Sequence, residues 1–292
     1  MKYLIIGASS GLGRELANKF AEKKKNLILV SRDERDLKAL KTDLELKHSV
    51  SVEYLALDFS SIEDIEKNLI SNKDITNEID GILFPVGLMF DEDNYQTDHS
   101  KIKQLIYTNY ISISYTIYKL KENLNNENSF ITGFGSVSGL IGRNLNTNYA
   151  AAKRGLESFF ESLFFDDDFK KINIQFYVLG YLDTNLAFGK NLNLPKGNVK
   201  KLATKVFNNR NKKSYKTYFP IYWNLIGIIL KIVPLNLIII FKNLLYCQLS
   251  PTPPSRKVSV VGILINIVSR LVGAAIVRTG KLHKYLCIIL ST

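Results

Sequence analysis

Tyr149 and Lys153, in the run Tyr149-Ala150-Ala151-Ala152-Lys153, follow a serine, Ser136, that stands thirteen residues upstream. On a helix, positions i and i+4 share a face, so the phenol and the ammonium project into the same space. A nearby ammonium favours the phenolate and lowers a tyrosine pKa from its ordinary value of about 10. Such a phenol can exchange a proton with an alcohol or carbonyl oxygen near neutral pH. Ser136, within Gly135-Ser136-Val137-Ser138-Gly139, can hold that oxygen with its hydroxyl. Taken alone, the Tyr/Lys pair more commonly marks a surface helix beside a solvated lysine, so its weight depends on its surroundings.

The N-terminus supplies them. Lys2 to Ile6 reads as a short buried strand, Gly7-Ala8-Ser9-Ser10-Gly11-Leu12-Gly13 follows at once, and a helical pattern runs from Arg14 to about Lys24. In a strand, glycine turn and helix, glycines let backbone N–H groups approach a pyrophosphate at a helix N-terminus. The spacing is GxxxGxG, and a lone glycine turn is weak evidence. Combined with a Ser/Tyr/Lys set further along the chain, it becomes strong.

On these motifs the chain resembles the short-chain dehydrogenase/reductase family over about residues 2–190. The family's glycine turn matches Gly7, Gly11 and Gly13, with Ser9, Ser10 and Leu12 between them. The resemblance implies an adenine-contacting acid at Asp58, a proton-relay asparagine at Asn109, and catalytic Ser136, Tyr149 and Lys153. Tyr149 and Lys153 also face the cofactor, Gly87 belongs to its floor, and Thr184 is the expected nicotinamide contact in Gly180-Tyr181-Leu182-Asp183-Thr184. Two departures stand out. Phe84-Pro85-Val86-Gly87 replaces the family's Asn-Asn-Ala-Gly, which implies altered packing rather than lost chemistry. Leu179 stands where a loop proline is usual, which bears on the loop's shape.

Charge bears on the cofactor. The second strand ends in Ser31-Arg32. An acid at that strand end would bind the ribose 2′-OH of NAD and repel a 2′-phosphate. Ser31 occupies the acid's place and Arg32 offers a planar donor fork, so NADP(H) is favoured over NAD(H). The competing reading pairs Arg32 with Asp33 or Glu34 on the surface.

Strand-like runs recur at 2–6, 26–30, 50–57, 80–86, 129–132 and 172–179. Helical patterns lie at about 12–24, 33–46, 61–72, 99–124 and 148–168. This alternation predicts an α/β fold, a doubly wound parallel sheet of Rossmann type, with ligands outside the carboxyl ends of the strands. The expected organisation is a catalytic domain at 1–195, a basic and apolar segment at 196–246, and a linker with an apolar tail at 247–292.

The opening apolar run is too short for a signal-peptide core and lacks a cleavage site. Cys247 and Cys287 make no disulfide framework, and His48, His99 and His283 have no ligand spacing, so no metal is expected. The expected location is cytoplasmic. All 27 acidic residues lie at or before Asp183, alongside 22 basic ones, and the last 109 residues carry 17 basic residues and no acid. A basic tail suggests nucleic acid or an anionic membrane surface.

Apolar content favours the membrane. Lys196–Lys216 is a basic helical or loop stretch leading into Tyr218-Phe219-Pro220-Ile221-Tyr222-Trp223, an aromatic cluster of the kind found at a headgroup boundary. Asn224–Tyr246 is apolar but broken by Lys231, Pro234 and Lys242, which fits short helices in the interface better than one span. Peripheral attachment to the inner face of the membrane is the favoured reading. The other is that 221–246 covers the substrate cleft or an oligomer interface. Residues 247–292, with a Pro/Ser linker, a long apolar run and the one asparagine Asn266, read as an added membrane anchor or a non-native extension. No nucleic-acid reader motif is present.

Together these readings predict reversible carbonyl/alcohol chemistry, on a hydrophobic or lipid-linked substrate if the tail reaches membrane. The alternative is a catalytically idle NADP-binding scaffold tethered to membrane. A homodimer or homotetramer is the family's ordinary assembly.

Overall fold

Four of the five residues of β1 (Lys2–Ile6) are buried, as expected of a central strand covered on both faces. In the computed structural model, which describes residues 2–77, 79–94, 96–124, 128–142, 146–183, 196–234 and 236, this strand lies inside a seven-stranded parallel sheet. Its companions are β2 (Asn26–Ser31), β3 (Val52–Ala56), β4 (Ile79–Phe84), β5 (Phe130–Ser136), β6 (Asn173–Leu179) and β7 (Ser214–Phe219). The order is β3-β2-β1-β4-β5-β6-β7, so the direction of winding reverses between β1 and β4. The predicted doubly wound sheet is present, with helices as the crossovers.

The helices are α1 (Gly11–Glu22), α2 (Glu34–His48), the short α3 (Ile62–Asp64) and α4 (Lys73–Thr76), α5 (His99–Ile106), α6 (Ser112–Leu120), α7 (Thr147–Phe165), α8 (Val199–Asn209) and α9 (Tyr222–Ile232). Side-chain caps set several starts: Asp33 accepts from the Asp36 amide, Asp98 from Lys101 and Asn198 from Lys201. Each satisfies a donor that the first helical turn leaves unpaired. Between α5 and α6 the chain widens into a π-helical turn, Tyr107–Ile111, a distortion that often accompanies a functional residue.

Two aromatic layers clamp the sheet. On one face Phe20 of α1 meets Tyr3 and Phe130, and Phe207 of α8 packs edge-on against Phe20 at 5.0 Å. On the other, Phe160 of α7 covers Gly133 of β5, where a Cβ would lie 2.4 Å from the ring. The glycine lets α7 sit close to β5, and each buried phenylalanine contributes roughly 1.5–3 kcal/mol. That closeness fixes the helix carrying Tyr149 and Lys153.

The sheet does not end at residue 195. α8 packs on α1, and β7 joins β6 with Tyr218 opposite Val178 and Phe219 opposite Leu179. The aromatic run assigned from sequence to a headgroup boundary is therefore drawn largely into the fold: Tyr218 and Phe219 are strand residues and Trp223 is buried. Aromatic residues suit a pleated, half-buried strand, whereas Ile221 in the same run stays exposed. The chain divides into two compact units, residues 1–190 with 196–227, and residues 191–195 with 228–292. Among the described residues no helix is long and apolar enough to cross a membrane. The expectations for 237–292 lie outside the described residues.

Candidate active site

Carboxyl ends of β1, β2, β4 and β5 gather most of the residues singled out by sequence. Past β1, Gly7 and Ala8 donate their amides to the Val30 carbonyl of β2, at 2.7 and 3.1 Å, which folds the turn over the sheet edge. Gly7 and Gly11 have φ of +95° and +50°, in the left-handed region that favours glycine. A Cβ on Gly7 would stand 2.7 Å from Val86 Cα, and one on Gly13 would stand 1.9 Å from the Gly7 carbonyl oxygen. Ser9 is tied in by the Ser31 hydroxyl, which donates to its Oγ at 2.8 Å. Ser10, the residue before α1, is extended and makes no side-chain cap. The first-turn N–H groups of α1, at Gly11, Leu12 and Gly13, therefore receive no side-chain cap from Ser10. This cradle suits a pyrophosphate, combining uncapped donors with the positive end of the helix dipole.

At the end of β2, Arg32 is exposed and forms no ion pair with Asp33 or Glu34. Asp33 is occupied instead in capping α2. Arg35, on the first turn of α2, is exposed as well, a second cation that the strand-end argument overlooked. Asp58 follows β3, where its carboxylate accepts from the Ser60 amide and hydroxyl at 2.9 Å and its own amide donates to Asp64. The carboxylate is thus held in a turn beside the strand end.

On the far side of the switch point, Lys153 is 4 % exposed. Its ammonium donates to the Phe134 carbonyl of β5 at 3.1 Å and lies 5.9 Å from the centre of the Tyr149 ring. Burial pushes its pKa down from the ordinary 10.5 to about 8. Asn109, fully buried in the π turn, spans the loop after β4: its Oδ1 accepts from the Leu88 amide at 3.2 Å and its Nδ2 donates to the Leu88 carbonyl at 2.7 Å. Gly87 borders both groups, since a Cβ there would be 3.4 Å from Asn109 Oδ1 and 3.8 Å from Lys153 Nζ. Ser136 closes β5, its Oγ accepting from the Ser138 amide at 3.1 Å. Gly87, Asn109, Lys153 and the Tyr149 ring thus lie together, and Ser136 ends β5, the strand whose Phe134 carbonyl holds Lys153.

Val86, in the departure at 84–87, lies against Gly7, and Leu88 still supplies both backbone partners of Asn109. Leu179 pairs in the ladder with Ser136 and Phe219. The next residue, Gly180, donates to the Phe219 carbonyl and packs under the Trp223 indole. Thr184 lies outside the described residues. Sequence inspection missed Asp93, fully buried in the loop after β4 and bound to the start of α7. A lone aspartate in a polar loop gives no sign of a partner 56 positions away. Among the described residues no cluster of histidine, cysteine and acidic side chains could hold a metal ion.

A family model described as short chain dehydrogenase matches residues 2–194. The chain belongs to this family. Among curated members, the very-long-chain 3-oxoacyl-CoA reductase of Vanderwaltozyma polyspora is 28 % identical over 200 residues, covering 62 % of this chain and 55 % of that protein. The dehydrogenase/reductase SDR family member 7B of Xenopus tropicalis is 26 % identical over 190 residues, covering 63 % and 62 %. The chain thus spans between half and two thirds of the length of these relatives. Among solved dehydrogenase structures, that of a short-chain dehydrogenase from Sphingobium yanoikuyae in complex with NADPH aligns with a TM-score of 0.67 at 22 % identity, covering 80 % of this chain and 96 % of that one. At that identity the likeness concerns the fold. For a short-chain dehydrogenase the expected group is NAD(P)(H), and the uncapped start of α1 with its Gly7/Gly13 packing fits a dinucleotide.

Proposed function

We propose that the chain is an NADP(H)-dependent oxidoreductase that interconverts a carbonyl and an alcohol, with Tyr149 as general acid and base. The observation that carries this reading is the Lys153 ammonium, buried beside the Tyr149 ring and bordered by Gly87 and Asn109. A lysine is almost never fully buried unless it is paired, and here the partner is the Phe134 carbonyl. Its lowered pKa still leaves it mostly protonated at pH 7, where its charge favours the tyrosinate. When bound, the nicotinamide cofactor supplies the hydride, and Gly11, Leu12 and Gly13 would hold its pyrophosphate. Ser136 would orient the substrate oxygen with its hydroxyl, and Tyr149 would give that oxygen a proton, or take one in the oxidative direction. Lys153 would bind the nicotinamide ribose, Thr184 the nicotinamide amide and Asp58 the adenine, while Asn109 would anchor the relay that returns the proton.

Arg32 and Ser31 support NADP(H) over NAD(H), because Ser31 stands where an acid would and Arg32 pairs with no acid among the described residues. A hydrophobic or lipid-linked substrate is supported by the kinship with a reductase named for very-long-chain 3-oxoacyl-CoA. An anionic membrane surface as partner, and a peripheral cytoplasmic location, rest on the acid-free segment after Asp183 and on exposed Lys200 and Lys201 of α8. Self-association as a dimer or tetramer is in keeping with Tyr118 of α6 and Phe165 of α7, which are exposed.

The test is NADPH binding and NADPH oxidation with ketones and 3-oxoacyl thioesters of rising chain length. Tyr149→Phe should lower turnover by about 100-fold or more, the scale of general acid–base catalysis, with NADPH affinity kept. If the wild type binds NADPH yet turns over none of the panel, and Tyr149→Phe changes nothing, a nucleotide-binding scaffold replaces the enzyme reading.

A further inference from the structure

We propose that Asp93 is a positioning residue for the reaction, holding the first turn of α7 so that Tyr149 stands correctly against the loop after β4. The inference rests on Tyr149 as the proton-transferring group. Asp93 is fully buried, and a buried carboxylate is costly unless its oxygens are bonded. Here one carboxylate oxygen accepts from the backbone amide of Tyr149 at 2.7 Å and the other from Asn148 Nδ2 at 2.7 Å. Its backbone carbonyl accepts from the Thr147 amide at 3.1 Å. Three successive residues at the start of the catalytic helix are therefore bound by a single residue from outside it.

Asn146, the residue before α7, makes no side-chain cap. A first turn without a cap frays, and Tyr149 is only the third residue of this helix. Lys153, a turn further in, is fixed by burial and by the Phe134 carbonyl. Fraying would thus move the phenol while leaving the ammonium in place. Carboxylate-to-amide bonds at a helix start are also among the stronger hydrogen bonds.

The loop that carries Asp93 is itself braced. Asn94 and Thr97 close a turn, with the Asn94 amide donating to Thr97 Oγ1 at 2.9 Å and Thr97 Oγ1 donating to the Glu92 carbonyl at 3.0 Å. Five residues earlier the same loop grips Asn109 through both backbone groups of Leu88. One segment after β4 therefore sets the relay asparagine and the catalytic tyrosine against each other. A displacement of about 1 Å at a reacting group can cost on the order of 100-fold in rate.

The experiment compares Asp93→Asn, Asp93→Asn combined with Asn148→Asp, and Tyr149→Phe in the full chain. Turnover is measured with NADPH and whichever carbonyl probe of the chain-length series the wild type reduces fastest, and is normalised to the number of NADPH sites found by titration. Asp93→Asn should lower kcat by about 10- to 100-fold, with the NADPH dissociation constant within about threefold of wild type. Hydrogen exchange at residues 147–150 should quicken while that of β5 stays unchanged. Restoring an acid at position 148 lets the new amide at 93 donate to it while still accepting from the Tyr149 amide, so the double variant should recover most of kcat. An unchanged kcat in Asp93→Asn overturns the proposal. So does a double variant no better than the single one, or a loss that falls equally on nucleotide binding, because either outcome makes Asp93 a general stabiliser. If Tyr149→Phe retains turnover, the fault lies with the reading of Tyr149 and not with the link between Asp93 and the helix.

Discussion

Gly13→Ala sets two physical effects against each other. Gly13 is the third residue of α1, and helix propensity alone favours alanine there by about 1 kcal/mol. The structure argues for a larger opposite effect. A Cβ on Gly13 would lie 1.9 Å from the Gly7 carbonyl oxygen, 2.7 Å from the Gly7 carbonyl carbon and 3.0 Å from Ala8 Cα. All three are backbone atoms, so no side chain can swing aside. To reach even 3.0 Å from the oxygen, the helix start and the turn must part by about 1.1 Å, the difference between 3.0 and 1.9. Overpacking of this kind costs roughly 1–3 kcal/mol, which cancels or exceeds the propensity gain. The displaced groups are the amides proposed to meet the pyrophosphate, so NADPH affinity should fall by at least about tenfold, or 1.4 kcal/mol. Gly155→Ala is the matched control. It lies inside α7, and its nearest neighbour would be the Tyr110 ring at 3.7 Å, an ordinary contact. That variant should gain about 1 kcal/mol and melt roughly 2–4 °C higher. Thermal denaturation of the cofactor-free proteins and fluorescence titration with NADPH report the two effects. A Gly13→Ala protein that melts higher, as Gly155→Ala should, and binds NADPH normally would refute the reasoning.

Two further outcomes are expected. Arg32→Ala should weaken NADPH by about 10-fold or more, the scale of one lost charge-assisted bond, while leaving NADH within about twofold; equal losses for both nucleotides would remove Arg32 from the 2′-phosphate. For Lys153, whose pKa falls from 10.5 to about 8 on burial, the unfolded chain holds more protons between those values, so its contribution to stability rises with pH across that window. Lys153→Met should therefore stabilise the cofactor-free protein at pH 7 by up to about 3 kcal/mol, a gain that fades toward pH 10.5 in denaturant titrations.

Much of the fold was legible because the central strands of a parallel sheet, buried on both faces, write short apolar runs that need no partner to be recognised. Six of the seven strands could be read from such runs, including β3 at the sheet edge, where only Val52 is buried. β7 could not, because Ser214–Phe219 mixes polar and aromatic residues without a continuous apolar run and lies beside a row of lysines, and its pairing with β6 is a property of the sheet. Helices were placed by their periodicity, but the π turn at Tyr107–Ile111 was not. There the backbone widens while Asn109 bonds to Leu88 and to the Leu105 carbonyl, and the Leu88 bonds are long-range.

The sequence by itself determined which chemical groups the chain possesses: the glycines that permit the turn, the serine, tyrosine and lysine, the strand-end arginine, and the one-sided charge of the tail. These are local facts, carried by residue type and short spacing. The tertiary structure decided which groups are buried and which backbone atoms meet. It buried Lys153 and lowered its pKa, placed the Gly7 carbonyl where only hydrogen fits on Gly13, drew Tyr218, Phe219 and Trp223 into the fold, and set Asp93 against the Tyr149 amide. Each depends on chain segments distant in sequence, and burial and contact exist only once those segments pack.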